Sequence, residues 1–353
     1  MLGERNGMAR RVTLADVAER AGVSKTAVSL VLNERPGSRL SAQLADRVRA
    51  AAAELDYRPN PAARTLRRGT SQVIGFISDE VTITRYASAM IRGALDVAQQ
   101  HEHTVLIAET GTNRDRRERA LRAVLDQRPD GLVFALMGAK QIDLPTLPDA
   151  LPVVILNGAS ADAHPSVLPD ERVAGSEVAR TLVDAGHRQI GIVGLPRADE
   201  LDPRVSVTVA DRVAGIATVL EVAGVDAPAE WTGLVWEPER GYQATHRLLG
   251  DHPELTGLIC LNDRLAFGAY QAIQELGRRI PEDVSVVSFD DDEIAAYLRP
   301  PLTTARLPYE QMGRLAMGML LDPGPAGPRQ LTVPMPVQHR ASVAVPRAGD
   351  RTP

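Results

Sequence analysis

The sequence predicts an all-α head carrying a helix-turn-helix, followed by an α/β domain of parallel sheets. Three observations carry that expectation. The hydrophobic spacing is helical up to about residue 56, and from Gln72 it changes to strand-length apolar runs alternating with helical stretches. The charge changes sign at the same place: residues 1–72 hold 13 Lys/Arg against 7 Asp/Glu, and the remainder holds 27 against 38. The strand-length runs come in two successive series, which suggests two similar lobes with a cleft between them.

The head reads as three short helices over residues 12–56. Thr13 and Asp16 have capping-box spacing, and Leu14, Val17, Ala18 and Ala21 follow on one helical face. Gly22 provides a turn where the first helix must stop. Ser24 caps a second helix with Val28, Val31 and Leu32 inward, and a polar loop runs from Asn33 to Arg39. Ser41 caps a third helix with Leu44, Val48, Ala52 and Leu55 inward. Pro59 and Pro61 break that helix and allow a short one, marginal in isolation, from Ala62 to Arg68 before Gly69.

Strands are expected at 73–77, 104–108, 131–135 and 152–156, then at 190–194, 257–261 and 284–289. Helices are expected between them, including 86–101, 114–127, 172–185, 211–223 and 263–276. Strands that are apolar throughout imply sheets covered on both faces. The chain from Gly324 is rich in Pro and Gly, with one or two strand-like pieces. The expected organisation is a helix-turn-helix domain at 1–56, a short helix and linker at 57–70, the two-lobed domain at 71–345 and a tail at 346–353.

Composition removes several classes. With 353 residues and 44% hydrophobic content a real core can be buried, but aromatics are only 3%, so it rests on Ala, Val, Leu and Ile. No run of 18 apolar residues is present, and the N-terminus lacks a signal-peptide stretch. The lone Cys260 excludes an internal disulfide and a multi-cysteine zinc site. A cytoplasmic protein is expected. There is no GxGxxG after a strand, no Walker loop, no HExxH and no nucleophile elbow, so neither an enzyme nor a cofactor is expected. An exported transport-binding protein would lack the basic head. The run Asp290 to Asp292 has no spaced set of further ligands, so no metal is expected.

Residues 12–33 carry the DNA-binding signal. In a helix-turn-helix the second helix enters the major groove, so Lys25 and Thr26, then Ser29 and Leu30 one turn on, should face base edges. The alternative is a three-helix unit that binds protein.

The stretches ThrLeuAlaAspValAlaGluArgAlaGlyValSer (13–24), ThrAlaValSerLeuValLeuAsn (26–33) and LeuAspTyrArgProAsnProAlaAlaArgThrLeu (55–66) resemble the lactose-repressor (LacI/GalR) family of bacterial regulators. The resemblance runs from residue 12 to about 345. It implies that double-stranded operator DNA is bound by a homodimer, with Thr13, Ser24 and Asn33 completing the DNA-facing set. It also implies that residues 57–68 form a hinge helix ordered on the operator. Leu66 would wedge into the central minor-groove step, accompanied by Asn60, Ala63 and Arg64. Read without the family, Leu66 could be an ordinary buried leucine. Many relatives carry Arg or His at the position of Leu30. Leucine cannot read guanine, so the operator half-site is expected to differ.

The lobes resemble the family's ligand domain, itself like periplasmic sugar-binding proteins. AlaAspArgValAlaGly (210–215) places an effector-binding arginine at Arg212. LeuAsnAspArgLeuAlaPheGlyAla (261–269) places Asn262 and Asp263 in the site, and ValSerValValSerPheAspAspAsp (284–292) places Asp290 there. Trp236 falls where relatives stack an aromatic on the ligand, and Asp170 matches an acidic cleft position. Arginine and carboxylates suit adjacent hydroxyls, and tryptophan suits the apolar face of a ring, so a sugar or sugar derivative is the expected effector. Taken singly, Arg212 could be a surface ion pair, Asp263 a helix cap and Trp236 a core residue. Two departures stand out: Arg85 and Tyr86 replace the usual aromatics of the first lobe, and residues 195–205 form a longer loop. Ligand would close or shift the lobes and thereby form or melt the hinge helices; relief of repression by an inducer is expected ahead of corepression, and the sequence does not decide the sign. No leucine-heptad helix follows the core, so a dimer is expected.

Overall fold

The computed structural model describes residues 12–32, 40–58, 69–80, 82, 85–111, 114–162, 164–197, 200–322 and 329–347. The expectations for Asn33, Asn60, Ala63, Arg64 and Leu66 lie outside these residues. The chain divides into two units, Met1–Ser71 and Gln72–Pro353.

The first unit contains α1 (Leu14–Ala21), α2 (Lys25–Leu32) and α3 (Ala42–Glu54). The capping box is complete: the Thr13 N–H donates to Asp16 at 2.7 Å, and the Asp16 N–H donates to the Thr13 hydroxyl at 3.4 Å. Two of the helix's orphan donors are satisfied in this way. Gly22 ends α1 at φ 65°, the left-handed region that glycine enters without steric cost. The Ser24 hydroxyl accepts from the Ala27 N–H at 3.1 Å and starts α2; Ser41 does the same for Leu44 at 3.3 Å and starts α3. Val17, Ala18, Ala21, Val28, Val31, Val48, Ala51 and Ala52 form the buried core of this unit.

The second unit is built on two six-stranded sheets. One consists of β1 (Val73–Ser78), β2 (Thr104–Glu109), β3 (Gly131–Ile142), β4 (Val153–Ser160), β5 (Ser166–Pro169) and β11 (Gln330–Val333), in the order β11-β5-β4-β3-β1-β2. The other consists of β6 (Ile190–Leu195), β7 (Ala229–Trp231), β8 (Gly257–Cys260), β9 (Ser285–Asp290), β10 (Thr303–Arg306) and β12 (Val337–Gln338), in the order β12-β10-β9-β8-β6-β7. Pairings are parallel except β10 with β12. The central strands match the apolar runs, because a strand covered by helices on both faces buries nearly every side chain, while the edge strand β2 leaves Ile107 exposed.

Helices α4 (Arg85–Gln100), α5 (Arg114–Leu125) and α11 (Tyr309–Leu321) cover the first sheet. Helices α6 (Glu171–Asp184), α7 (Val209–Val222), α8 (Pro238–Asp251) and α9 (Asp263–Glu275), with the short α10 (Glu293–Tyr297), belong to the second. The chain therefore changes lobe after β5, after β10 and again after β11. Among the described residues, no helix is long and apolar enough to cross a membrane.

Two glycines set the spacing of α6 and α7. A Cβ on Gly175 would lie 2.2 Å from the Arg212 carbonyl oxygen, and one on Gly215 would lie 2.1 Å from the Arg172 carbonyl oxygen. Backbone cannot yield as a flexible side chain can, so either methyl would push the helices apart. Gly215→Ala is expected to cost about 1–3 kcal/mol, as overpacking typically does. Urea unfolding of the variant against the parent measures this, and an unchanged midpoint would contradict the close contact.

Candidate functional site

On α2 the side chains divide by turn. Val28 and Val31 are buried, Lys25 and Thr26 are exposed, and Ser29 and Leu30 are partly exposed. A helix whose first turn is polar and open while its opposite face fills a core has the form a major-groove reader requires. Of the remaining expected DNA-facing residues, Thr13 and Ser24 use their hydroxyls as helix caps.

Arg212, Glu171, Asn262 and Asp263, all buried, meet at the carboxyl ends of β6, β8 and β9, where open α/β sheets bind ligands. Arg212, on the first turn of α7, is only 3% exposed. Its Nε and Nη2 donate to the two Glu171 carboxylate oxygens, both at 2.7 Å, in a bidentate pair. Nη1 donates to the Leu261 carbonyl, and Nη2 stands 3.9 Å from Asp290 Oδ1. The guanidinium carbon lies 4.4 Å from the Phe289 ring centre and 5.5 Å from that of Trp236. Burial by itself lowers the Arg212 pKa, but the charge and hydrogen bonds of Glu171 outweigh it and hold the group protonated.

Trp236 plays two parts. Its Nε1 donates to the Gly194 carbonyl at 2.9 Å and its ring packs on the core of the second lobe, while a face is turned to Arg212. Asn262 is the N-cap of α9: its Oδ1 accepts from the Leu265 N–H at 2.8 Å and its Nδ2 donates to the Trp236 carbonyl at 3.3 Å. The helix cap left open for Asp263 thus belongs to its neighbour.

Asp263 is fully buried. It accepts from the Thr304 hydroxyl at 2.8 Å and from the Asp292 N–H at 2.7 Å, so both oxygens are engaged inside the protein. Burial raises its pKa to about 7 against the opposing hydrogen bonds from Thr304 and the Asp292 N–H. Its visible work is to anchor the loop after β9. That loop is strained, with Asp290 at φ 109° and Asp291 at φ 54°. Asp291 is tied down by Arg306 at 2.7 Å and Arg340 at 2.6 Å. Asp290 stays at the cleft, its pKa pushed well up by burial and only partly brought back by Arg212. Arginines thus account for the middle carboxylate of the Asp290–Asp292 run, and no metal-holding cluster occurs among the described residues.

Asp170 caps α6, its Oδ1 accepting from the Val173 N–H at 3.2 Å, and its own N–H bonds to the Val333 carbonyl at 2.8 Å. The acidic partner that meets Arg212 is therefore Glu171, which sequence reasoning missed. A glutamate in the first helical turn reads as a favourable charge on the helix dipole, and no local signal separates that from a buried partner.

Two contacts join the lobes beside this centre. The Tyr86 hydroxyl, at the start of α4, donates to Asp292 Oδ2 at 3.2 Å. The long loop before α7 reaches the far end of β3: the Gln141 N–H donates to the Pro203 carbonyl at 2.7 Å, and the Val207 N–H to the Ala139 carbonyl at 2.6 Å. Tyr86, Asp290, Asp292, Arg306 and Tyr309 also border an open groove of about 710 Å³.

Comparison with known proteins fits both units. Residues 13–60 match the family description "Bacterial regulatory proteins, lacI family", and residues 179–343 match "Periplasmic binding protein-like domain". The ribose operon repressor of Haemophilus influenzae is 32% identical over 314 residues, which cover 88% of this chain and 91% of that protein. The HTH-type transcriptional repressor PurR of Serratia proteamaculans is 31% identical over 315 residues, covering 88% and 89%. The crystal structure of the lac repressor dimer bound to operator and the anti-inducer ONPF superposes with a TM-score of 0.78 at 28% identity, covering 95% of this chain and all of that one. The chain accordingly belongs to the lacI family of bacterial regulatory proteins, DNA-binding transcriptional regulators, not enzymes, that are controlled by a small-molecule effector in the C-terminal domain.

Proposed function

We propose that this protein is a cytoplasmic homodimeric repressor whose operator affinity is set by a sugar or sugar derivative bound at the Arg212 centre. The observation that carries the ligand reading is the convergence of Arg212, Asp290 and the Trp236 ring at the strand ends of the second lobe. Tryptophan offers an apolar plate for a ring, and the charged groups beside it suit hydroxyls. Asn262 and Asp263 support the site from behind by holding Trp236 and the Asp290 loop. Asp170 and Glu171 stand where the chain passes from the first sheet to the second lobe, so a ligand at this centre acts on the crossover itself.

On the DNA side, Lys25, Thr26, Ser29 and Leu30 read the major groove, with Asn33 beside them, and the hinge residues Asn60, Ala63, Arg64 and Leu66 enter the minor groove. Effector binding shifts the lobes and with them the two hinges. A coupling of ~1–3 kcal/mol changes operator affinity ~5–150-fold. Sequencing the genomic fragments retained by purified protein tests the reading. A few enriched sites sharing an inverted repeat support it, and uniform weak recovery with and without a metabolite mixture overturns it. Once an operator is known, Leu66→Ala is expected to weaken operator binding far more than nonspecific binding. Equal losses on the two DNAs, measured by fluorescence anisotropy, would remove the wedge role.

A further inference from the structure

Arginine recognises carboxylates and phosphates best along one edge, where Nε–H and one Nη–H point the same way and match two anionic oxygens. In this protein that edge of Arg212 is already filled. Glu171 takes both donors at 2.7 Å, and the side chains of both partners are 4% exposed. Nη1 is drawn to the Leu261 carbonyl, and the ring of Phe289 covers one face of the guanidinium. The nearest other ionisable group is a further carboxyl, Asp290, 3.9 Å away, and the buried Asp263 and Asp292 lie behind it. The arginines nearby, Arg306 and Arg340, are engaged with Asp291. The centre therefore offers acceptors, and its one buried cation is already neutralised.

We infer that Glu171 determines the ligand class of this cleft, closing the anion-binding edge of Arg212 so that the site takes a neutral or amino-bearing polyol and refuses phosphorylated or carboxylated ones. This rests on the reading of the Arg212 centre as the effector site. The packing that brings the pair together is built into the fold, since Gly175 and Gly215 allow α6 and α7 to approach until the two side chains meet. A phosphorylated ligand would have to displace Glu171 from the two donors it occupies, and it would bring its charge beside Asp290.

Glu171→Ala opens a space shaped for a carboxylate directly on Arg212. In the full-length variant, acetate is expected to raise the melting temperature saturably at constant ionic strength. Calorimetry should show acetate or sulfate binding at least tenfold tighter than to the parent. Glu171→Gln keeps the volume, removes the charge and should gain sulfate binding more weakly; it decides the matter if the alanine variant does not fold even in acetate. Absence of anion binding in the folded variants overturns the inference, because something other than Glu171 would then exclude anions. Tight sulfate binding by the parent overturns it too. The parent is also titrated with matched free sugars, amino sugars and sugar phosphates. Binding confined to the first two supports the inference, and a bound sugar phosphate overturns it. Anion rescue of Glu171→Ala with no sugar bound by the parent supports the role of Glu171 and defeats the sugar reading alone.

Discussion

Arg212→Leu is expected to remove the effector response completely and to lower the stability of the C-terminal unit by about 3–5 kcal/mol, the usual cost of breaking a buried ion pair from one side. Leucine fills much of the volume, so the loss is electrostatic: Glu171, only 4% exposed, keeps a carboxylate with no cation facing it. Asp290 loses its ion-pair partner at 3.9 Å, and the Leu261 carbonyl loses its donor. The helix-turn-helix has its own core of Val17, Val28, Val48 and their neighbours, so nonspecific DNA binding should persist. Denaturant unfolding followed by Trp fluorescence measures the first effect, and operator release by the identified effector measures the second. A variant as stable as the parent and still responsive would exclude Arg212 from both roles. The companion substitution Glu171→Leu together with Arg212→Leu should recover much of the stability without recovering the response, because a buried pair replaced as a whole by apolar groups often costs little.

The second large effect concerns pH. The folded protein raises the pKa of Asp263 to about 7, chiefly through burial, whereas an unfolded aspartate titrates near 3.9. Between these values the folded state holds a proton that the unfolded state has released. Stability from this group is therefore greatest below about pH 4 and falls as pH rises to about 7, by on the order of 4 kcal/mol at 1.36 kcal/mol per unit. Asp290 is raised for the same reason and acts in the same direction. Asp263→Asn mimics the protonated form and should remove the Asp263 share of this slope while leaving that of Asp290, at the cost of a poorer acceptor for the Asp292 N–H. The test compares unfolding free energies of parent and variant from pH 4 to 8. Parallel curves would show that Asp263 is ionised throughout, stabilised by Thr304 and the Asp292 N–H.

The helices of the head and the apolar strand centres were legible because their causes are local. Thr13 and Asp16 are one helical turn apart, and Gly22 marks its own left-handed turn. Runs such as Val73 to Ile77 are buried on both faces, so composition alone marks them. The full length of β3 was not legible. Its end, through Lys140 and Gln141, is polar and reads as loop, but it pairs with Gly158 to Ser160 of β4, and Lys140 bonds Asp79 at 2.8 Å. Those partners lie far away in the chain.

At the site, family motifs marked Arg212, Trp236, Asn262 and Asp290 as residues, without saying what each touches. Asp170 and Glu171 are adjacent acids, and only the direction of the first turn of α6 decides that one caps the helix while the other meets an arginine 41 positions on. The order of helices, the parallel sheets and the class of protein follow from the sequence, because capping, periodicity and composition act over a few residues. The pairing of Arg212, the burial of Asp263 and the contacts between the lobes were decided by tertiary structure. They depend on helix spacing and desolvation, which exist only once distant segments have packed.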